Sequence, residues 1–230
     1  MSKSVLIVCT SHDKLGTADD AAKTGSWMEE LAAPYYAFLA KGYTVTVASI
    51  KGGVVPFDDA SLNPPFVTPD VEKFRSDETA MLLVTKSKVL SEVKAVDFDA
   101  VLLPGGHGVC WDLPDNADLI AQLSAAYQAG KVVAALCHGP FGLVNIKDAA
   151  GQPIVKGKKV TGFSNAEEIA VGKDGLVPFM LETRLKELGG DYTCGENWAA
   201  FAVRDGNLVT GQNPSSGAET ARLMIEALSC

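Results

Sequence analysis

The sequence predicts an α/β fold: a doubly wound, mainly parallel sheet with helices on both faces and small irregular insertions. Three observations carry this. Residues 5–9, 100–103 and 132–136 are short apolar runs, the mark of strands buried on both faces. Each stops abruptly at a polar or glycine-rich break. Amphipathic helical stretches alternate with them, as βαβ units require. No linker, repeat or low-complexity segment divides the chain, so residues 1–230 read as one domain.

The strand over 5–9 ends at Thr10-Ser11, and a polar stretch runs from His12 to Lys23. Ser26 can cap a helix over 27–40, where Pro34 predicts a kink or a late start because it has no N–H for the helical ladder. Gly42 closes that helix, residues 43–50 alternate as a second strand, and Gly52-Gly53 is a turn. Residues 56–69 read as loop, and 70–88 as weakly helical. The strand over 100–103 stops at Pro104-Gly105-Gly106. Asp115 begins a helix to about 129, closed by Gly130. The strand over 132–136 runs straight into Cys137-His138-Gly139-Pro140 and a helical stretch. Residues 160–161 form a short strand, and 177–188 a helix ended by Gly189-Gly190. Residues 200–203 and 208–210 flank a hairpin turn, and the last helix covers 215–228. In open parallel sheets ligands bind beyond the carboxyl ends of the strands, so chemistry is sought where these strands stop.

Composition narrows the partners. Hydrophobic residues are 47% of 230 and charged residues 21%, enough for a large core and too apolar for disorder. A net charge of −8 argues against general nucleic-acid binding, which rests on clustered cations. No apolar run reaches the roughly 20 residues that cross a bilayer, and the N-terminus lacks a secretory h-region. The expectation is a soluble cytoplasmic protein, small enough to enter a nucleus, with no membrane partner. The cysteines at 9, 110, 137, 194 and 230 are odd in number, widely spaced and free of CxxC, so reduced thiols are expected. Cys9, Cys194 and Cys230 read as inert, and Cys110 is open. Trp27, Trp111 and Trp198 read as core packing rather than pocket walls.

Several motifs fail. Gly105-Gly106-His107-Gly108 follows a strand, but Trp111 stands where GxGxxG needs a small residue. Gly157-Lys158-Lys159 lacks the Walker spacing. The histidines at 12, 107 and 138 form no HxxxH or HxxE pair, so no metal site is expected.

Ala135-Leu136-Cys137-His138-Gly139 survives. It has the small-x-nucleophile-x-small pattern of a nucleophile elbow, a strained strand-to-helix turn that needs small residues two places either side. The following N–H groups and helix dipole would favour thiolate, the nucleophilic form. Gly105–Gly108 ends a neighbouring strand and can supply oxyanion donors. His138 can take the thiol proton if the turn folds it back. Glu167 or Glu168 can orient the imidazole, and Glu29 or Glu30 can supply a further acid; each reads equally as part of a solvated first helical turn.

Together, Ala-x-Cys-His-Gly-Pro at 135–140, Leu-Pro-Gly-Gly-His-Gly at 103–108, Thr-Gly-Phe-x-x-x-x-Glu at 161–168 and the stretch 205–214 resemble the ThiJ/PfpI superfamily. The similarity covers 5–228 and is greatest to the branch of glutathione-independent glyoxalases (glyoxalase III) and heat-shock chaperones. The resemblance implies a flavodoxin-like three-layer sandwich, usually a homodimer, and a Cys-His-Glu triad on Cys137, His138 and Glu168. It places Glu30 as a buried acid beside the sulfur, and Gly106 and His107 on the oxyanion and substrate side. The extra His and Glu ligands of some metal-binding relatives are not found here.

The implied chemistry needs no cofactor. Cys137 would attack the aldehyde of methylglyoxal or glyoxal; with methylglyoxal, hydrogen transfer through an enediol would give a lactyl thioester, and water would release D-lactate. Histidine, with an ordinary pKa near 6.5, suits the proton shuttle. Glu30 should be protonated, since an ionised carboxylate would oppose thiolate formation. Competing readings are a stress-response chaperone holding unfolded proteins, a protein deglycase, a cysteine peptidase or amidase, and a redox sensor.

Overall fold

The computed structural model describes residues 2–229. Its elements are β1 (Ser4–Cys9), α1 (Met28–Ala40), β2 (Thr44–Ser49), α2 (Pro69–Ser76), α3 (Glu78–Thr85), β3 (Lys88–Val89), β4 (Ala100–Leu103), α4 (Val109–Asp112), α5 (Ala117–Gln128), β5 (Val132–Leu136), β6 (Lys159–Val160), α6 (Asn165–Ala170), α7 (Leu181–Glu187), β7 (Asp191–Tyr192), β8 (Ala202–Asp205), β9 (Leu208–Gly211) and α8 (Gly217–Leu228). The main sheet has seven strands in the order β3-β2-β1-β4-β5-β9-β8. Every pairing in it is parallel except β8 with β9. β6 and β7 make a separate parallel pair. The expected doubly wound, flavodoxin-like sandwich is therefore present.

The strands are apolar on both sides because both sides are covered. Leu6, Val8, Val101, Leu103, Val133 and Ala135 face a core shared with α5. Val5, Ile7, Ala100, Leu102, Val132 and Ala134 face a core shared with α1 and α8. Alternation thus sorts residues between two cores rather than between core and water. Phe38, Phe74 and Phe141 are fully buried; cutting such a ring to alanine costs about 3–5 kcal/mol.

Local chemistry moved several boundaries. Trp27, not Ser26, is the N-cap of α1, and the Ser26 hydroxyl caps nothing. The helix starts on time and runs through Pro34 to Ala40, with Pro34 buried near Gly217 of α8. The segment 70–88 is two helices, because Asp77 turns extended and its carboxylate accepts the N–H groups of Thr79 and Ala80. Asn116, not Asp115, caps α5. The stretch after Cys137 is a 3₁₀ turn over Gly139–Leu143, not an α-helix; Pro140 has no N–H, and Gly139 and Gly142 favour helix poorly. The hairpin closes on Gly206-Asn207, with Asp205 paired to Leu208. Cys230 lies outside the described residues.

Candidate active site

Cys137 sits one residue beyond β5 with φ at +56°, a left-handed conformation that few side chains adopt without strain. Its N–H donates to the Gly211 carbonyl of β9 at 2.9 Å, and its carbonyl accepts from Phe163 at 2.8 Å. These two bonds hold the strained residue from both sides. A Cβ on Gly139 would meet the Leu103 carbonyl oxygen, and would come within 3.4 Å of the Ala135 Cβ. That is why small residues flank the nucleophile. The elbow read from sequence is present.

The turn folds His138 back, and its Nδ1 lies 3.3 Å from the Cys137 sulfur. His138 Nε2 donates to Glu168 Oε2 at 2.7 Å. Sulfur, imidazole and carboxylate therefore form one line. Glu168 is placed by α6, whose first turn is locked by a capping box: Ser164 accepts from the Glu167 N–H, and the Glu167 carboxylate accepts from Ser164 in return.

The adjacent carboxylates have separate duties. Glu167 Oε1 accepts from the Trp198 N–H and from Asn213 Nδ2, both at 2.9 Å. It ties three loops together and does not touch the histidines. Both carboxylates are buried, not solvated. The same division holds in α1. Glu29 accepts from the Thr68 hydroxyl, away from the sulfur. Glu30 is fully buried, and its Oε2 accepts from the Gly105 N–H at 2.6 Å. Its Oε1 has no conventional hydrogen bond, and Cys137 is the side chain beside it.

Burial pushes the Glu30 carboxyl up to about 8, against the opposing pull of Cys137 and the Gly105 N–H. At neutral pH it holds its proton. Burial also pushes the Cys137 thiol well up, an ionised Glu30 would push it further, and the N–H groups of Gly106 and His138 pull it down. The resting sulfur is thus a buried thiol rather than the ionised one expected from a helix terminus. The five-residue 3₁₀ turn supplies little dipole, and Cys137 is only 3% exposed. Ionisation waits for the proton to pass to His138.

His107 is more than a turn residue. Its Nε2 donates to Glu168 Oε1 at 2.9 Å, and its ring centroid lies 4.1 Å from that of His138. One carboxylate thus carries two imidazoles. Burial, and then the neighbouring His138, push His107 down to about 4, so it is neutral. Burial alone would raise Glu168, but bonds from His107 and His138 hold it well below the usual carboxylate range. Lys173 Nζ lies 3.5 Å from His107 Nδ1. Gly106, at φ +93°, turns the chain so tightly that a Cβ there would strike the backbone of 25–27.

His107, His138 and Glu168 bring donor atoms within 4.8 Å of one another and could hold a metal ion. No local spacing announces that trio, since its members come from three segments. Its contacts of 2.7 and 2.9 Å are those of N–H···O bonds that already occupy both carboxylate oxygens.

A cavity of about 620 Å³ opens over the sulfur. Trp27, Phe66, Phe163 and Trp198 wall it, with Lys173 among the lining residues. The core role expected for Trp27 and Trp198 is corrected: both line the cavity, and Trp198 is 46% exposed with φ at +67°. Trp111 is half-buried and stacks on His12. Cys9 and Cys110 are buried thiols raised by burial, and neither lines the cavity. Cys194 is exposed rather than buried, with a thiol pushed up by partial burial and by Glu182 and Glu167. Sequence reasoning missed the second imidazole on Glu168, Lys173 and the aromatic walls. No periodicity signals them, because chain reversals bring them together.

Comparisons with known proteins fit this site. The model of the DJ-1/PfpI family matches residues 22–227. The chain is 35% identical to "Glyoxalase 3" of Candida albicans over 98% of each protein. It is 33% identical to "Glutathione-independent glyoxalase HSP31" of Saccharomyces cerevisiae, again over 98% of each. The solved structure of the Francisella tularensis Rapid Encystment Protein 24 kDa superposes with a TM-score of 0.92 at 38% identity, covering 98% of this chain and 99% of that one.

Proposed function

The chain belongs to the DJ-1/PfpI family, and from that premise we propose that it is a glutathione-independent glyoxalase converting methylglyoxal to D-lactate. One observation carries the reading: the Cys137 sulfur lies 3.3 Å from an imidazole that Glu168 orients, at a strained turn opening into a cavity.

The sequence of events follows from the geometry. His138 Nε2 donates to Glu168, which leaves Nδ1 free to take the Cys137 proton. The sulfur attacks the aldehyde carbon, a C–S bond forms, and the alkoxide takes a proton to give a hemithioacetal. The N–H groups of Gly106 and His138 point at the sulfur, and the alkoxide oxygen forms on the carbon bonded to it, one bond away. Such donors are each worth about 10²–10³ in rate. Imidazole then removes the C1 proton, an enediol forms, and C2 is reprotonated to give the lactyl thioester. Water cleaves the C–S bond, and the thiol regains its proton. No electrons leave the substrate. The protonated Glu30 carboxyl can donate to the sulfur without adding a negative charge beside it.

Purified protein incubated with methylglyoxal, without glutathione or added metal, should release D-lactate, and Cys137→Ala should release none above background. A wild-type protein that forms no lactate would end this reading.

A holding-chaperone role is a second reading, favoured by exposed apolar side chains on the cavity wall and on the segment around Val171. Phe66 is 50% exposed, and Ile169 and Leu176, on the segment around Val171, are 60% and 53% exposed. Aggregation suppression retained in Cys137→Ala would separate it from catalysis. A homodimer and a cytoplasmic location are part of the same proposal; the four described cysteines are free, which suits a reducing compartment.

A further inference from the structure

Lys173 follows α6 in an irregular turn, just after Gly172 at φ +66°. Its backbone is pinned at both ends. The N–H donates to the Glu168 carbonyl at 3.2 Å, and the carbonyl accepts from Leu176 and Val177. The side chain lines the cavity that holds Cys137, and its Nζ donates to His107 Nδ1. That direction is fixed, because His107 Nε2 already donates to Glu168 and the ring is neutral.

An ammonium has three N–H donors, and one of Lys173's is taken by His107. Among the described residues no carboxylate pairs with it. Two carboxylates of the site are already engaged. Asp58, on the cavity wall, accepts from the Thr24 hydroxyl and the Ala60 N–H. Glu168 has one oxygen on each imidazole. A cation without a counterion, on the wall of a cavity that four aromatic rings help to line, is arranged for an anion that arrives with the ligand.

We propose that Lys173 forms an anion subsite beside Cys137 for the oxygen on the carbon next to the thiol-bound one. The ligand class is a small 2-hydroxycarboxylate and the enediolate that precedes it, so the assignment rests on the glyoxalase reading. When the C1 proton leaves, its electron pair becomes the C1–C2 double bond, and the C2 carbonyl pair moves onto O2. Negative charge thus appears at O2, where Lys173 meets it. After C2 takes a proton, O2 becomes the hydroxyl of the product; water then cleaves the C1–S bond, and the carboxylate forms on C1, the carbon next to it, as a second anion for the same ammonium.

The subsite is tested by two alkylating reagents of similar size and different charge. Iodoacetate and iodoacetamide both react with the Cys137 sulfur, and the modified peptide is counted by mass spectrometry. Lys173→Met should slow iodoacetate about fivefold or more and leave iodoacetamide within about twofold. Lys173→Arg should keep most of the preference for the anion. Equal slowing of both reagents would show that Lys173 only props His107, and an unchanged ratio would show no subsite; either result overturns the proposal. The wild-type protein gives a check that needs no variant. Added salt should slow iodoacetate and spare iodoacetamide, and equal salt dependence would overturn the proposal as well. Turnover of methylglyoxal by Lys173→Met should fall about tenfold in kcat/KM. If wild-type protein made no lactate, the glyoxalase reading would fall, and the alkylation ratio would still decide the subsite.

Discussion

Cys9 and Cys137 stand at the same edge of the same sheet. Cys9 is the last residue of β1 and Cys137 follows the last residue of β5, with only β4 between those strands. Both are buried, and burial pushes both thiols up, Cys9 to about 12. Cys9 remains in register opposite Ser49, with the Ser26 hydroxyl beside it and the charge of Asp112 opposing ionisation. Cys137 has left the ladder at φ +56°, has an imidazole within 3.3 Å and two peptide N–H groups facing it, and borders a cavity. Burial by itself makes a thiol inert. A strained turn that presents the same side chain to a base and a cavity gives it the geometry of the nucleophile we propose.

The widest separation between the two should come from alanine substitutions. Cys137→Ala should lower lactate formation by at least about 10³-fold, whereas Cys9→Ala should stay within about twofold once its loss of packing is allowed for by measuring thermal unfolding. Equal losses would erase the contrast. Next in size is the partner that Cys9 lacks. Glu168→Gln should cost about 10²–10³ in kcat, because a neutral amide no longer holds both histidines with their Nε2–H toward it. Cys137 alkylation should slow in parallel; unchanged turnover would remove Glu168 from the machinery.

The turn itself can be broken without touching the sulfur. Gly139→Ala places a methyl against the Leu103 carbonyl, so unfolding by urea should show about 1–3 kcal/mol of lost stability. The same exchange at Gly151, which has nothing within 4 Å, meets only its own positive φ. A Gly139→Ala protein as stable as wild type would mean the elbow relaxes freely.

The most gradual effect, spread over several pH units, concerns the acid beside the sulfur. Glu30 keeps a proton in the folded state up to about pH 8, while an unfolded glutamate loses it near pH 4.3. Between those values the folded chain binds more protons, so stability falls as pH rises, by at most about 1.4 kcal/mol per unit from this group. Glu30→Gln should flatten that decline between pH 5 and 8 in urea midpoints and leave Cys137 alkylation within a few-fold. A marked rise in the thiol pKa of this variant would contradict a protonated Glu30. Glu168 has the opposite sign: its lowered pKa adds stability above the ordinary carboxylate range that is lost as pH falls.

Sequence alone determined the doubly wound sheet, because strands buried on both faces must be short, apolar and separated by helical stretches. It also determined the elbow, because only small residues fit at 135 and 139 around a nucleophile whose backbone is left-handed. The choice of Glu168 over Glu167, and of Glu30 over Glu29, came only from the motif resemblance; helical spacing and residue type left each pair open. Neighbouring residues on a helix point about 100° apart, and what each meets depends on loops distant in sequence: Trp198 and Asn213 for Glu167, Thr68 for Glu29. Nor did the sequence show that His107 would share Glu168, or that Lys173 would stand over His107. Those contacts join segments 61 and 66 residues apart. The protonation of the sulfur was decided the same way, since burial and a neighbouring carboxyl exist only once α1, β4 and β5 have come together.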